Sequence, residues 1–396
     1  MTTTEARPAA QQEISERVES VLPVLREHAR RVDADASFPT APLEALRRSG
    51  LMGLLVPTAH GGLGGGLDDL VRVAAELSGE CLSTGMIWAM HCQQVAALAV
   101  HAGPELRADL LPRLAAGEVY VASVTSEKVK GGHLLSAHAP LHREGGLVHL
   151  DRDAPIVTGG SDADGFLITM KDSESAQPAE VSLVYADRSR LTVRHAEGFS
   201  WDPMGMRGTH SGPLHLSGAV PESAIVGGAG GFREVALRTF VPVGHIAWAA
   251  CWLGAARGAL RAVLELVRSP AGRKQFPLDS DLLRARLARV RLDLDTTAAL
   301  IAQVVRDTGL APDPEAPDVQ LRLNGLKVHA AERSFAVVNT LVEVVGLRHG
   351  YLRDAPMPLE RLFRDLRSAS LNYANDRLLG ANGALVLVDR AVGLAL

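Results

Sequence analysis

The clearest pattern lies near the end of the chain. Leu359, Leu362, Phe363 and Leu366 fall at i, i+3, i+4 and i+7, which predicts a helix with one apolar stripe. Glu360, Arg361, Arg364, Asp365 and Arg367 take its other side, and Pro358 suits its first turn. A polar run, Leu371-Asn372-Tyr373-Ala374-Asn375, follows. A helix this charged on one face, entering such a run, reads as the wall of a site.

The same reading applied from the start gives three zones. Residues 1–11 are expected to be disordered. Ile14, Val18, Val21, Leu22 and Leu25 then predict a helix, as do Pro42–Ser49, roughly 68–79 behind an Asp68 cap, Thr84–His101 and Pro104–Ala115. Next come short β-branched or alternating runs: Val119–Val124, His133–Ala137, Leu147–Leu150, Gly165–Met170, Val181–Tyr185, Leu191–Arg194 and Pro213–Leu216. They predict a small barrel or sandwich. From Phe232 the chain is helical again. Val241–Arg268 is apolar nearly all round, which implies burial. Leu283, Leu287, Val290, Leu294, Thr297, Ile301 and Val304 form an a/d seam. Pro312, Pro314 and Pro317 mark a loop before a third long helix, about Val319–Val345. The opening stretch and a tail, Leu378–Leu394, complete a bundle of the four-helix kind. The fold class is thus α+β, with three expected domains: 12–118 helical, 119–230 β and 231–396 helical.

Composition narrows the function. The 396 residues carry a formal net charge of −4, so nucleic acid and anionic membrane are not expected partners. Cys81, Cys92 and Cys251 are far apart in the chain and show no CxxC, so neither a disulfide framework nor a zinc site is indicated. Met1–Gln12 is polar and lacks an apolar core, and Ile246–Leu260 is interrupted by Gly254, Arg257 and Gly258. No signal peptide or membrane span is expected, and the expected location is cytoplasmic. Neither Gly61–Gly66 nor Gly227–Gly231 reads as a Rossmann fingerprint.

Several segments, in this order, resemble the acyl-CoA dehydrogenase superfamily. They are Phe38-Pro39 through Leu51-Met52-Gly53-Leu54-Leu55-Val56-Pro57 with Gly61-Gly62-Leu63-Gly64; Trp201-Asp202-Pro203-Met204-Gly205-Met206-Arg207-Gly208-Thr209-His210-Ser211 with Val220-Pro221; Arg273-Lys274-Gln275-Phe276; and Gly350-Tyr351 with Pro358–Asp365. The resemblance covers roughly residues 15–392 and implies an acyl-CoA dehydrogenase-like fold: an N-terminal all-α domain, a middle small β-barrel or sandwich and a C-terminal four-helix bundle. It implies a flavin, FAD or alternatively FMN, and a homodimer or homotetramer. Carried over residue by residue, it places Val124, Thr125, Ile156, Thr158 and Gly346 at the cofactor, and Arg273 and Phe276 at the flavin of a neighbouring subunit. For Arg273 the physics agrees, since a guanidinium offers forked donors to a pyrophosphate. Thr125 and Thr158 as plain strand residues, and Arg273 as a loop charge, are the bland alternatives.

The departures bear on mechanism. The family's "TEPxxGSD" is here Thr125-Ser126-Glu127-Lys128-Val129-Lys130-Gly131-Gly132, and the aromatic expected before the second flavin segment is Ile156. α,β-Dehydrogenation of a thioester needs a carboxylate to take the α-proton. The two positions where the family places it fall on Tyr373 and Leu264. Tyr373, with an ordinary pKa near 10, is a better hydrogen-bond donor than a base. Asp376 lies one turn on. A related branch of flavin monooxygenases tends to carry His where this chain has Asn372 or Asn375. Those two asparagines and Leu264 are candidate substrate contacts; for the asparagines the alternative is polar residues at a helix end. His91 is a candidate acid/base group, or a satisfied core histidine. His245 opens the first bundle helix and is a weaker candidate for lining the site. His133, His138, His142 and His149 match no metal motif.

Three readings follow: oxidation of a CoA- or carrier-bound acyl thioester with an electron acceptor; a two-component monooxygenase supplied by a flavin reductase; or a family member that binds flavin or acyl ligand without turnover.

Overall fold

The computed structural model describes residues 6–127, 133–195, 199–310, 313–389 and 392. Five helices come first: α1 Ala6–Asp35, α2 Thr40–Arg48, α3 Leu67–Glu80, α4 Leu82–His101 and α5 Pro104–Ala115. The expected disorder is corrected over residues 6–11, which are helical; residues 1–5 lie outside the described part. Pro8 causes no break, because N–H groups in a helix's first turn have no intrahelical acceptor. Ile14, Val18, Val21 and Leu25 are buried as their spacing predicts. The N-cap of α3 is Gly66, not the expected Asp68, and its N–H donates to Asp69 Oδ2 at 3.1 Å.

Eight strands follow: β1 Val121–Val124, β2 His142–Glu144, β3 Leu147–Val157, β4 Gly165–Lys171, β5 Val181–Asp187, β6 Leu191–His195, β7 Gly212–Pro221 and β8 Ile225–Val226. They form two four-stranded sheets, in the orders β1-β4-β5-β8 and β2-β3-β7-β6. Among the pairings of these described strands, β1–β4 is parallel and the others are antiparallel. Phe166 and Ile168 of one sheet share a core with Val148 and Leu216 of the other, so the two sheets form a sandwich. The second face of the first sheet packs Val121, Leu167 and Leu183 against Leu110, Leu111 and Leu114 of α5. That double coverage explains why β4 is buried from Gly165 to Met170 without alternation. The strand expected at His133–Ala137 is a turn and irregular chain. β3 runs on to Val157, through the polar-looking Asp151-Arg152-Asp153.

The helical remainder comprises α6 Phe232–Val235, α7 Val241–Arg268, α8 Gly272–Gln275, α9 Asp281–Leu310, α10 Pro317–Gly346, α11 Leu359–Arg367 and α12 Asn375–Val386. α10 packs on α7, α9 and α12 to form the bundle. Val290, Leu294, Thr297, Ile301 and Val304 of the seam are buried. The tail helix ends at Val386, short of the expected Leu394. Phe232–Arg268 is long and apolar enough to cross a membrane, but 94% of its most apolar window is buried inside the protein, which makes it a core helix. α7 lies so close to α3 that a Cβ at Gly254 would stand 2.1 Å from the Ala75 carbonyl oxygen. This contact ties the N-terminal helices to the bundle and leaves a gap nearer the start of α7.

Candidate active site

That gap is a cavity of about 740 Å³, larger than the other described depressions and within the range of small-molecule sites. Six stretches contribute to its lining. Thr125, Ser126 and Glu127 leave β1, and Pro155, Ile156 and Thr158 end β3. Trp201 to Ser211 forms a floor. Met86, Met90 and Gln93 project from α4 at i, i+4 and i+7, and His245, Trp248 and Trp252 from α7 at i, i+3 and i+7. The turn Ser368–Ala374 closes the remaining side.

The floor is held by the charged helix. Asp365 is buried, and its Oδ1 accepts from Met206 N–H at 2.5 Å. Arg364 pairs with Asp33 at 2.6 Å and donates to the Met204 carbonyl at 2.9 Å. A Cβ at Gly205 would sit 2.2 Å from the Arg364 carbonyl oxygen, so only glycine allows this approach. Burial raises the Asp365 carboxyl to about 6, against the charges of Arg361 and Arg364. The two stretches that carried the family resemblance are therefore two halves of one clamp. Thr209 and Ser211, projecting from that floor, continue as a hydroxyl chain: Thr209 Oγ1 to Ser211 Oγ is 2.9 Å, and Ser211 Oγ to Thr158 Oγ1 is 3.1 Å.

Facing this chain is a polar end. The rings of His245 and Tyr373 lie 5.8 Å apart, and His245 and Trp248 also 5.8 Å. His245 Nδ1 and Trp248 Nε1 are buried with no hydrogen-bond partner. Two orphaned polar atoms at a cavity wall are the mark of a site that a ligand completes, since leaving them unpaired costs about 1–3 kcal/mol each. Burial, and secondarily the Lys327 charge, lowers His245 to about 3, so its ring is neutral. Burial raises the Tyr373 phenol. Lys327, inside α10, is fully buried behind this wall.

The sequence-derived candidates divide. Thr125, Ile156, Thr158, Asn372 and Tyr373 line the cavity, and so does His245. Val124 points into the core, and its carbonyl accepts from Thr169 Oγ1 at 3.4 Å. His91 does not reach the cavity. One nitrogen contacts the Met52 carbonyl at 3.0 Å and the other accepts from Val121 N–H at 3.1 Å. Burial lowers it to about 4. It is a core histidine tying α4 to β1, in place of an acid/base group. Leu264 sits twelve residues, about 18 Å, along α7 from Trp252 and is not at this cavity. Asn375 is buried beneath the turn, where its Oδ1 accepts from Lys327 Nζ at 2.8 Å and Nδ2 donates to Glu332 at 3.4 Å. Arg273, Phe276 and Gly346 lie outside the cavity. Arg273 is exposed, Phe276 packs on His349, and Gly346 supplies a φ of +71° where α10 ends.

Ile156 is 58% exposed at the rim, while Trp201, Trp248 and Trp252 bring three indoles to the walls. Glu127 is the sole carboxylate among the described lining residues. It is occupied: it pairs with the fully buried Arg152 and accepts from His138 N–H at 3.0 Å and Ala139 N–H at 2.9 Å. Burial raises its pKa, but Arg152 and these amides outweigh that, and the net shift is downward. Lys128–Gly132, the rest of the altered motif, lies outside the described residues. Among the described residues no His, Cys, Asp and Glu group is placed to hold a metal ion.

Comparison with known proteins agrees with this architecture. Residues 7–118 match the acyl-CoA dehydrogenase N-terminal domain and residues 230–372 the acyl-CoA dehydrogenase C-terminal domain. The chain belongs to the acyl-CoA dehydrogenase family of flavin-dependent oxidoreductases. It is 26% identical over 361 residues to a dibenzothiophene monooxygenase of Rhodococcus erythropolis, covering 86% of this chain and 85% of that protein. In fold it is similar to butyryl-CoA dehydrogenase from Megasphaera elsdenii, with TM-score 0.81, 16% identity and 98% and 99% of the two chains covered. It is equally similar to the dibenzothiophene monooxygenase TdsC of Paenibacillus sp. A11-2, solved with FMN and indole, with TM-score 0.80, 21% identity and 96% and 98% covered.

Proposed function

We propose that this protein is a two-component flavin-dependent monooxygenase that hydroxylates a small, largely apolar molecule. One observation carries the reading: the sole carboxylate at the described cavity wall, Glu127, is neutralised by Arg152 and two backbone amides. Thioester dehydrogenation needs a base near the α-carbon, and neither Tyr373, whose phenol burial raises, nor His245, lowered to about 3 and so a weak base, replaces the carboxylate. The similarity to dibenzothiophene monooxygenases points the same way.

The cavity residues fit a flavin. Thr125, Thr158 and Ser211 offer hydroxyls to the polar edge of the ring system, and Ile156 and Trp201 offer apolar faces. Arg273, Phe276 and Gly346 would belong to the cofactor site of a neighbouring copy in a homodimer or homotetramer. Reduced flavin supplies the electrons that activate molecular oxygen. The chain's own part is to hold the substrate between Met86, Met90, Trp248 and Trp252, to exclude water and to orient a polar group toward Tyr373 and His245. The proposed division into residues 12–118, 119–230 and 231–396 places the site where all three parts meet.

The test is oxygen uptake with NADH and a flavin reductase, assayed over a panel of small heteroaromatic compounds with product mass analysis. Substrate-dependent uptake with oxygen insertion is expected. Anaerobic bleaching of the bound flavin by an acyl thioester would overturn the reading in favour of dehydrogenation.

A further inference from the structure

Lys327 is a buried ammonium group with no direct carboxylate partner among the described residues. Its Nζ donates to the Ala369 carbonyl at 3.0 Å, the Tyr373 carbonyl at 3.3 Å and Asn375 Oδ1 at 2.8 Å. It also stands 5.5 Å from the ring centroid of Trp252, whose indole lines the cavity. Three acceptors spread over seven residues of one turn are drawn to a single cation. The turn needs such a tie. Tyr373 has φ +51°, a left-handed conformation that costs a bulky side chain of order 1 kcal/mol or more, and surrounding structure must enforce it. A buried cation is itself costly unless hydrogen-bonded. An uncharged residue would spare that desolvation, so the cation's presence calls for a role.

We infer that Lys327 is the positioning residue of this site: its ammonium fixes the Ala369–Asn375 turn so that the Tyr373 ring is set beside His245 in the cavity wall. The inference rests on the proposed reading of the cavity as the active site. Lys327 touches no substrate; it acts through Tyr373 and through its charge. Glu332 on its own helix raises its pKa, while burial dominates and brings it down to about 8. On α7 the facing group is His245, which the Lys327 charge helps to keep neutral. On α12, Arg377 adds positive charge near Tyr373.

The experiment compares the flavin-loaded protein with Lys327→Met and Lys327→Gln. Met keeps the length without donors, and Gln keeps donors without charge. In Lys327→Met we expect kcat to fall at least about tenfold with KM for reduced flavin within about threefold. The His245 ring resonance, assigned by its loss in His245→Gln, should titrate at least about one pH unit higher in both variants, as removal of a nearby like charge requires. Lys327→Gln should retain more of the parent kcat than Lys327→Met. Parent-like kcat in Lys327→Met overturns the positioning role. An unmoved His245 titration in both variants overturns the electrostatic one. The resonance measurement needs no substrate, so it remains readable if the monooxygenase reading fails. A Lys327→Met protein that does not fold leaves Lys327→Gln to decide, by the same two readouts.

Discussion

The rings of His245 and Tyr373 lie beside each other in the cavity wall, with centroids 5.8 Å apart and planes tilted by 55°. Neither is charged at neutral pH, because burial disfavours imidazolium in one and phenolate in the other. The pair therefore offers hydrogen bonds and not basic strength. Tyr373→Phe keeps the ring and removes the hydroxyl. Turnover should fall at least about tenfold, roughly 1.4 kcal/mol, with the flavin spectrum unchanged. An unaltered kcat would reject a role for the hydroxyl.

His91 separates stability from chemistry. His91→Leu leaves Val121 N–H without its acceptor inside the core, for an expected loss of about 1–3 kcal/mol in denaturant melts. Turnover per bound flavin should stay near that of the parent. The pH dependence has a definite sign. The folded pKa, about 4, lies below the ordinary histidine value of 6.5, so the unfolded chain binds the extra proton first. This contribution is complete above pH 6.5 and is lost as pH falls toward 4, amounting to about 3 kcal/mol. The difference between parent and variant stability should shrink over that window.

Asp365 predicts the opposite slope. Its folded pKa, about 6, is above the ordinary 3.8, so the folded protein holds the proton more tightly. Its effect on stability is most favourable below pH 4 and declines as pH rises through 6, again by about 3 kcal/mol. Asp365→Asn keeps an oxygen for Met206 N–H and removes the titration. Parent and variant should diverge between pH 4 and 6, with the parent losing ground. Asp365→Ala orphans that N–H and should be about 1–3 kcal/mol less stable than Asp365→Asn at every pH.

The fold was legible because its long helices repeat at 3.6 and its strands at 2. α5 and α7 begin and end where the pattern places them. Boundaries failed where tertiary burial overrides local signal. β3 runs through Asp151-Arg152-Asp153 because Arg152 occupies an inward position in the Val148, Leu150, Ala154 alternation and finds Glu127 there. An arginine in the apolar register was the available hint. The site was only half legible. Trp248 and Trp252 share a helix face with His245, a spacing visible in the sequence. The polar run after the charged helix forms a turn with Tyr373 in a left-handed conformation, which puts Asn375 underneath and Tyr373 in the wall. Lys327 gave no signal, since a lysine inside a helix is ordinarily solvated.

Glu127 offers the last test, because one substitution answers two questions. If Glu127 were the base of a thioester dehydrogenase, Glu127→Gln would abolish turnover by orders of magnitude while sparing the fold. The structure predicts the reverse. Its oxygens hold Arg152, His138 N–H and Ala139 N–H, and Arg152 is wholly enclosed. Removing the charge leaves a buried guanidinium unpaired, at a cost of about 3–5 kcal/mol. Glu127→Gln should therefore melt well below the parent, while the folded fraction still turns over with oxygen at a rate within a few-fold. The double variant Glu127→Gln with Arg152→Met removes the stranded cation and should recover much of that stability, as replacement of a buried ion pair by uncharged groups commonly does. A double variant no more stable than Glu127→Gln would mean that the pair is not the unit the geometry describes.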